Sequence, residues 1–213
     1  MTKITERGMI FNGEMVRALL DGRKTQTRRI VKGTDGAVKF CKELNINGEE
    51  VFVVLGEKDH TGMNPVLGVI SCPFGAVGDR IWVREAFRVH SRATDVATLV
   101  YKASERNSWT EQTRRVPVAV CNKPATPEKW TPSLHMPRWA SRILLEITGV
   151  RVERLRSMSQ DDARAEGVIA ASGPMEAGLA FRELWDSIYG EESWKANPWV
   201  WVIEFKRVEG GAA

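Results

Sequence analysis

The chain has 213 residues, 43% hydrophobic and 27% charged. That is enough apolar material to bury a core, while its longest apolar stretches, such as Ile143 to Leu145 and Trp199 to Ile203, fall far short of the roughly 20 residues that cross a bilayer. Thirty-one Lys and Arg against 27 Asp and Glu give a net charge of +4, which favours an anionic partner only mildly. Three widely spaced cysteines (Cys41, Cys72, Cys121), an odd number, argue for a reducing cytoplasm, and Met1 to Ile10 is too polar for a secretory signal. No cysteines form Cys-x-x-Cys, and His60, His90 and His135 stand alone. Neither a metal nor another cofactor is expected.

In chain order, Asn12 is placed to cap a helix from Gly13 to Asp21, with Met15, Val16, Leu19 and Leu20 at helical spacing and Gly22 to end it. Thr25 to Val31, rich in β-branched residues, reads as a strand. From Lys32 to Val77, glycines, asparagines and Pro65 punctuate short apolar runs such as Val51 to Leu55, the mark of an insertion with small hairpins. Gly78-Asp79 turns into sheet from Arg80 to Val89, interrupted at Glu85-Ala86, and Leu99 to Tyr101 is a further strand. Four prolines between Asn122 and Pro137 exclude helix there. Arg142 to Leu155 alternates as a long strand with a bulge expected at Gly149. Ser159 then starts a short helix that stops at Gly167. A second begins near Pro174 and carries Phe181, Leu184, Trp185 and Ile188 on one apolar face. Trp199 to Val208 is the closing strand.

This order predicts an α+β chain, built on a small, mostly antiparallel barrel or curled sheet with flanking helices. One domain is expected over residues 8–208, with insertions at about 32–77 and 90–139 and a disordered tail over 209–213.

The densest polar cluster runs Gly22-Arg23-Lys24-Thr25-Gln26-Thr27-Arg28-Arg29, at a helix-to-strand junction. On a strand Thr27 and Arg29 share a face, and Lys24 at the turn is placed to fold back toward Thr27. A hydroxyl, an amine and a guanidinium in one place suit an anion or carbonyl site; a solvated basic edge is the plainer alternative. A second group of arginines (Arg138, Arg142, Arg151, Arg154, Arg156) is spaced to follow a phosphate backbone, unless it is a solvated charged face. Among eight tryptophans, Trp82 beside Arg84 and Trp139 beside Arg138 are candidates for stacking on bases, with core packing as the competing role.

The motif Gly22-x-Lys24-x-x-Thr27-x-Arg29 resembles the G-x-K-x-x-E-x-R signature of ASCH domains, whose barrel is similar to PUA domains of RNA-modifying proteins. Thr27 stands where that signature usually has Glu. In this it looks like the bacterial N(4)-acetylcytidine amidohydrolases, whose motif reads G-R-K-T-x-T-x-R. Gly78-Asp79-Arg80-Ile81, the Ser159 to Gly167 helix and Val202 to Lys206 resemble further family segments. The longer form, with Trp82-Val83-Arg84-Glu85-Ala86 and His135-Met136-Pro137-Arg138-Trp139, is similar to ASCH-domain proteins of phages and prophages. The resemblance implies a catalytic group of Lys24, Thr27 and Glu166, with Glu166 at the family's catalytic glutamate. It implies a substrate such as N(4)-acetylcytidine or another modified nucleoside, bound through Arg23, Arg28, Arg29, Trp82, Arg84, Arg138 and Trp139. A noncatalytic domain that binds RNA or a modified base, and a nuclease of single-stranded RNA, are the alternatives.

In that chemistry a neutral Lys24 would take the Thr27 proton; a charged one would stabilise an oxyanion, leaving Glu166 as base or proton shuttle. Neighbouring arginines push the lysine pKa down and an adjacent Glu166 pushes it up, so its protonation is open at this point.

Overall fold

The computed structural model describes residues 4–169 and 176–208. The described residues divide into two compact units: 4–22, 80–146 and 206–208 make unit 1, and 23–79, 147–169 and 176–205 make unit 2. β1 (Glu6–Ile10) and α1 (Gly13–Leu20) open unit 1; unit 2 follows with β2 (Gln26–Ile30), β3 (Lys39–Leu44), β4 (Glu50–Leu55) and β5 (Val66–Ile70). The chain returns to unit 1 for β6 (Arg80–Arg84), β7 (Phe87–Arg92), β8 (Val96–Tyr101), α2 (Trp109–Gln112) and β9 (Thr113–Pro117). The long strand β10 (Leu144–Arg154) runs from unit 1 into unit 2, where α3 (Gln160–Ala165), α4 (Glu176–Tyr189), α5 (Glu191–Ala196) and most of β11 (Trp199–Arg207) complete the chain.

The protein is α+β and mostly antiparallel. In unit 1, β6 pairs antiparallel with the start of β10 and parallel with β1, while β7, β8 and β9 form an antiparallel meander. In unit 2, β11 lies between β10 and β2, and β3, β4 and β5 form a second meander, so the punctuated 32–77 segment does fold as hairpins. No sheet closes on itself into a barrel among the described residues.

Local signals placed most elements. The Asn12 side chain accepts the Met15 amide at 2.8 Å, and Gly22 takes the left-handed conformation (φ 74°) after α1. The sheet breaks between Arg84 and Phe87, as the Glu85-Ala86 interruption required. The proline-rich segment holds no α-helix; a single 3-10 turn forms at Ser133–His135, with Pro132 preceding it as cap. Gly149 lies against the Glu204 carboxylate, where an added Cβ would come within 2.7 Å of Oε2. On α4, Phe181 and Trp185 are buried with Leu155, Ala163, Val200 and Val202; each such side chain contributes about 1.5–3 kcal/mol. Ile188, expected on the same face, is instead 46% exposed at the last turn of the helix. The Pro174 start and the 209–213 tail lie outside the described residues.

The unit 1 core gathers Phe87, Val89, Leu99, Tyr101, Val116 and Met136, with Trp139 packed edge-on to Phe87. β1, β9, α2 and α5 carry no strong sequence signal. β1 exists because its backbone is paired residue for residue with β6, Gly8 standing opposite Trp82. An added Cβ at Gly8 would lie 2.5 Å from the indole ring. Gly8→Ala is therefore expected to cost about 1–3 kcal/mol in urea unfolding. Gly68→Ala on β5, where the Cβ meets open space, is expected to be neutral or slightly stabilising.

Candidate active site

Unit 2 brings the early basic cluster against the end of α3. The helix starts in a capping box: Ser159 Oγ accepts the Asp162 amide at 3.0 Å and the Asp162 carboxylate accepts the Ser159 amide at 3.0 Å. It ends at Glu166, and Gly167 turns left-handed (φ 87°). The carbonyls near and beyond that C-terminus are taken up by the segment entering β2. The Thr25 amide donates to Ala165 O at 2.8 Å, Gln26 Nε2 to Asp162 O at 2.8 Å, Lys24 Nζ to Glu166 O at 2.9 Å and Arg23 Nη1 to Gly167 O at 2.6 Å. Helix-end carbonyls carry partial negative charge and lack intrahelical donors, so a lysine and an arginine complement them doubly.

The same contact carries the ionisable pair. Lys24 Nζ lies 2.8 Å from Glu166 Oε2, from 142 positions away in sequence. Arg28 Nη1 donates to Glu166 Oε1 at 3.1 Å, and its Nη2 to Glu153 Oε1 at 2.6 Å, with Asp162 Oδ1 at 3.5 Å. Arg151 extends the chain of charge to Glu153, Asp162 and Glu204. Lys24, Thr27, Arg28 and Glu166 are each buried. The penalty that the helix dipole puts on a carboxylate at Glu166 is offset by two cations in direct contact.

Burial pushes the Lys24 amine below its ordinary value. The Glu166 charge and hydrogen bond work against that shift, and Arg29 and Arg28 add to it. The protonation question left open by the sequence thus moves toward a lysine that gives up its proton more easily than usual.

The Asp162 carboxyl sits well below its usual range. Burial alone would raise it, but hydrogen bonds from Ser159 and Gln26 and the Arg28 charge outweigh that. A carboxyl depressed from a reference value of 3.8 adds stability that is complete above that value and is lost as pH falls below it. In urea unfolding between about pH 5 and pH 2, Asp162→Asn is expected to lose acid stability less steeply than wild type. Equal slopes would mean that Asp162 carries none of it.

The structure does not bring the hydroxyl to the amine. Lys24, Gln26 and Arg28 all reach α3 or Glu166, whereas Thr27 Oγ1 accepts from Arg29 Nη1 at 2.7 Å, as alternation along a strand demands. The hydroxyl and guanidinium converge as expected. Lys24 does not fold back toward Thr27, because a carboxylate and a helix-end carbonyl are stronger acceptors than a hydroxyl.

The binding candidates are mostly occupied within the protein. Arg28, expected to meet an anion from solvent, has no accessible side chain and is committed to Glu153 and Glu166. Arg29 also donates to Arg28 O at 2.8 Å. In unit 1, Arg84 lies 5.4 Å from the Trp82 ring centroid and donates to Leu134 O, while Arg138 pairs with Glu6 at 2.8 Å. Trp82 covers Gly8 and Trp139 joins the core, so both indoles serve packing. Of the second arginine group, Arg142 pairs with Glu85, Arg151 with Glu153, and Arg154 lies over the Trp199 ring.

Sequence reasoning missed Glu153, Glu204 and Asp162 as charge partners, and gave Arg151 to a phosphate backbone instead of to them. Glu153 and Arg151 share the alternation of β10, and Glu204 stands opposite Gln26 in the β11–β2 register. Only the register shows that these polar positions meet.

No group of His, Cys, Asp and Glu able to hold a metal occurs among the described residues, and no helix among them is long and apolar enough to cross a membrane. No family model, curated protein or solved structure matches the chain.

Proposed function

We propose that the chain is a PUA-like, ASCH-type domain acting as an amide hydrolase that needs no metal. Its substrate would be the acylated exocyclic amine of a cytosine nucleoside, N(4)-acetylcytidine or a close relative. The observation that carries this reading is the buried Lys24–Glu166 contact at 2.8 Å, with the amine shifted toward release of its proton. Such a pair takes and returns a proton at low cost, which is the central need of amide hydrolysis.

In this reading Thr27 Oγ attacks the acyl carbon and its proton passes to the Lys24–Glu166 pair. The same proton goes to the exocyclic nitrogen as the C–N bond breaks, and water then hydrolyses the acyl ester on Thr27. Arg29, 2.7 Å from the hydroxyl, stabilises negative charge that develops on it. The reaction requires Lys24 to exchange its Glu166 contacts for the Thr27 face when substrate enters.

A second reading, a noncatalytic RNA or modified-base binder, is favoured by one observation: Thr27 is wholly buried and bonded to Arg29. Incubation of the protein with N(4)-acetylcytidine, a panel of other modified nucleosides and single-stranded RNA, read by mass, separates the readings. Loss of an acetyl group from the cytosine base is the expected result. Unchanged nucleosides with salt-sensitive RNA binding would establish the binder, and shortened RNA a nuclease.

A further inference from the structure

Unit 1 contains a hollow of about 820 Å³, a size that holds a small polar ligand, and the proposed hydrolase chemistry makes no use of it. Its walls come from the start of α1, the Glu85-Ala86 break between β6 and β7, and the turn after β8. Three cations line it: Arg17, Lys102 and Arg106. All three side chains are on exposed residues, and none makes an ion pair with a carboxylate among the described residues. Arg17 donates to Ala103 O at 3.3 Å. Three carboxylates, Glu14, Glu85 and Glu105, line the same space.

Glu85 is the fixed member. It is buried, and Arg142 grips both its oxygens, Nε on Oε1 at 2.8 Å and Nη2 on Oε2 at 3.0 Å. Arg142 is held in turn by Ser104 Oγ at 2.9 Å and by the Tyr101 ring, 4.1 Å away. A forked pair of this kind uses one lone-pair direction on each oxygen and leaves the others free to accept. With Glu85 balanced by Arg142, the hollow keeps three cations against two carboxylates.

We infer that this hollow binds a nucleoside monophosphate, its phosphate on Arg17, Lys102 and Arg106 and its base or ribose donors on the carboxylates. A simple dianion would satisfy the cations and leave the acidic wall without donors. A neutral nucleoside would do the reverse. A nucleotide carries both halves in one molecule. The site is independent of the hydrolase reading, since none of its residues belongs to the Lys24 cluster.

Calorimetric titration of the full chain with CMP, UMP, AMP and GMP, and separately with the parent nucleosides and inorganic phosphate, tests it. At least one nucleotide is expected to bind with one-to-one stoichiometry, tenfold or more tighter than its nucleoside and than phosphate. Lys102→Ala with Arg106→Ala, two exposed changes, is expected to weaken that binding at least tenfold. Lys42→Ala, an exposed change on β3 in unit 2, is expected to leave it unchanged. Absence of saturable binding by all four nucleotides, equal affinity for phosphate alone, wild-type binding by the double variant, or loss of binding in Lys42→Ala would each overturn the assignment.

Discussion

Glu166→Ala is expected to destabilise the fold by about 3–5 kcal/mol, a large share of the 5–15 kcal/mol that typically holds a domain together. Removing this one carboxylate leaves the buried Lys24 ammonium without its counterion and takes from Arg28 the acceptor of its Nη1. Arg28 keeps Glu153 at 2.6 Å, so most of the loss falls on Lys24. Lys24→Met combined with Glu166→Gln removes the unpaired charge and leaves an amide oxygen for Arg28. It should therefore cost clearly less than the sum of the two single changes, measured by urea unfolding as a double-mutant cycle. A cost below about 1 kcal/mol for Glu166→Ala would show that Lys24 sheds its proton or gains water instead of remaining a buried unpaired charge.

Thr27→Val is expected to lower deacetylation of N(4)-acetylcytidine by about a thousandfold or more while the protein stays folded, since a nucleophile removed has no substitute. Valine keeps the shape and β preference of threonine on β2, and Arg29 retains the Arg28 carbonyl as acceptor. Lys24→Met should lower turnover by about 100-fold to 10,000-fold through lost proton transfer. Thr27→Val also separates the two readings of the site: a binder needs no hydroxyl there and should hold its ligand as before. Wild-type turnover by Thr27→Val would remove Thr27 from the mechanism and leave Lys24 and Glu166 to activate a water.

Most elements were legible because their signals are local. Asn12, Gly22, Ser159 and Gly167 mark helix ends by chemistry confined to one turn, and the alternation of β10 and β11 reports its own buried face. β1 and β9 escaped because strands of five residues are stabilised by a partner rather than by their own sequence, β1 by β6 and β9 by β8. Ile188 kept the helical period yet fell outside the core, because periodicity gives a direction and not the extent of the neighbour it faces.

At the site, residue types and spacing singled out the Arg23 to Arg29 cluster, and family resemblance alone nominated Glu166. What the cluster does was decided by α3, whose unpaired carbonyls and terminal carboxylate draw in Arg23, Lys24 and Arg28. The split between the Lys24 face and the Thr27 face follows from strand alternation, which the sequence contains. The pull that fixes Lys24 on Glu166 rather than Thr27 does not. The amino-acid order by itself determined the helix ends, the strand faces and where cations and hydroxyls fall along the chain, since these depend on near neighbours and a fixed repeat. Only the tertiary structure decided which charges are buried together and which amine loses its water, because desolvation and ion pairing depend on groups more than a hundred residues apart meeting in space.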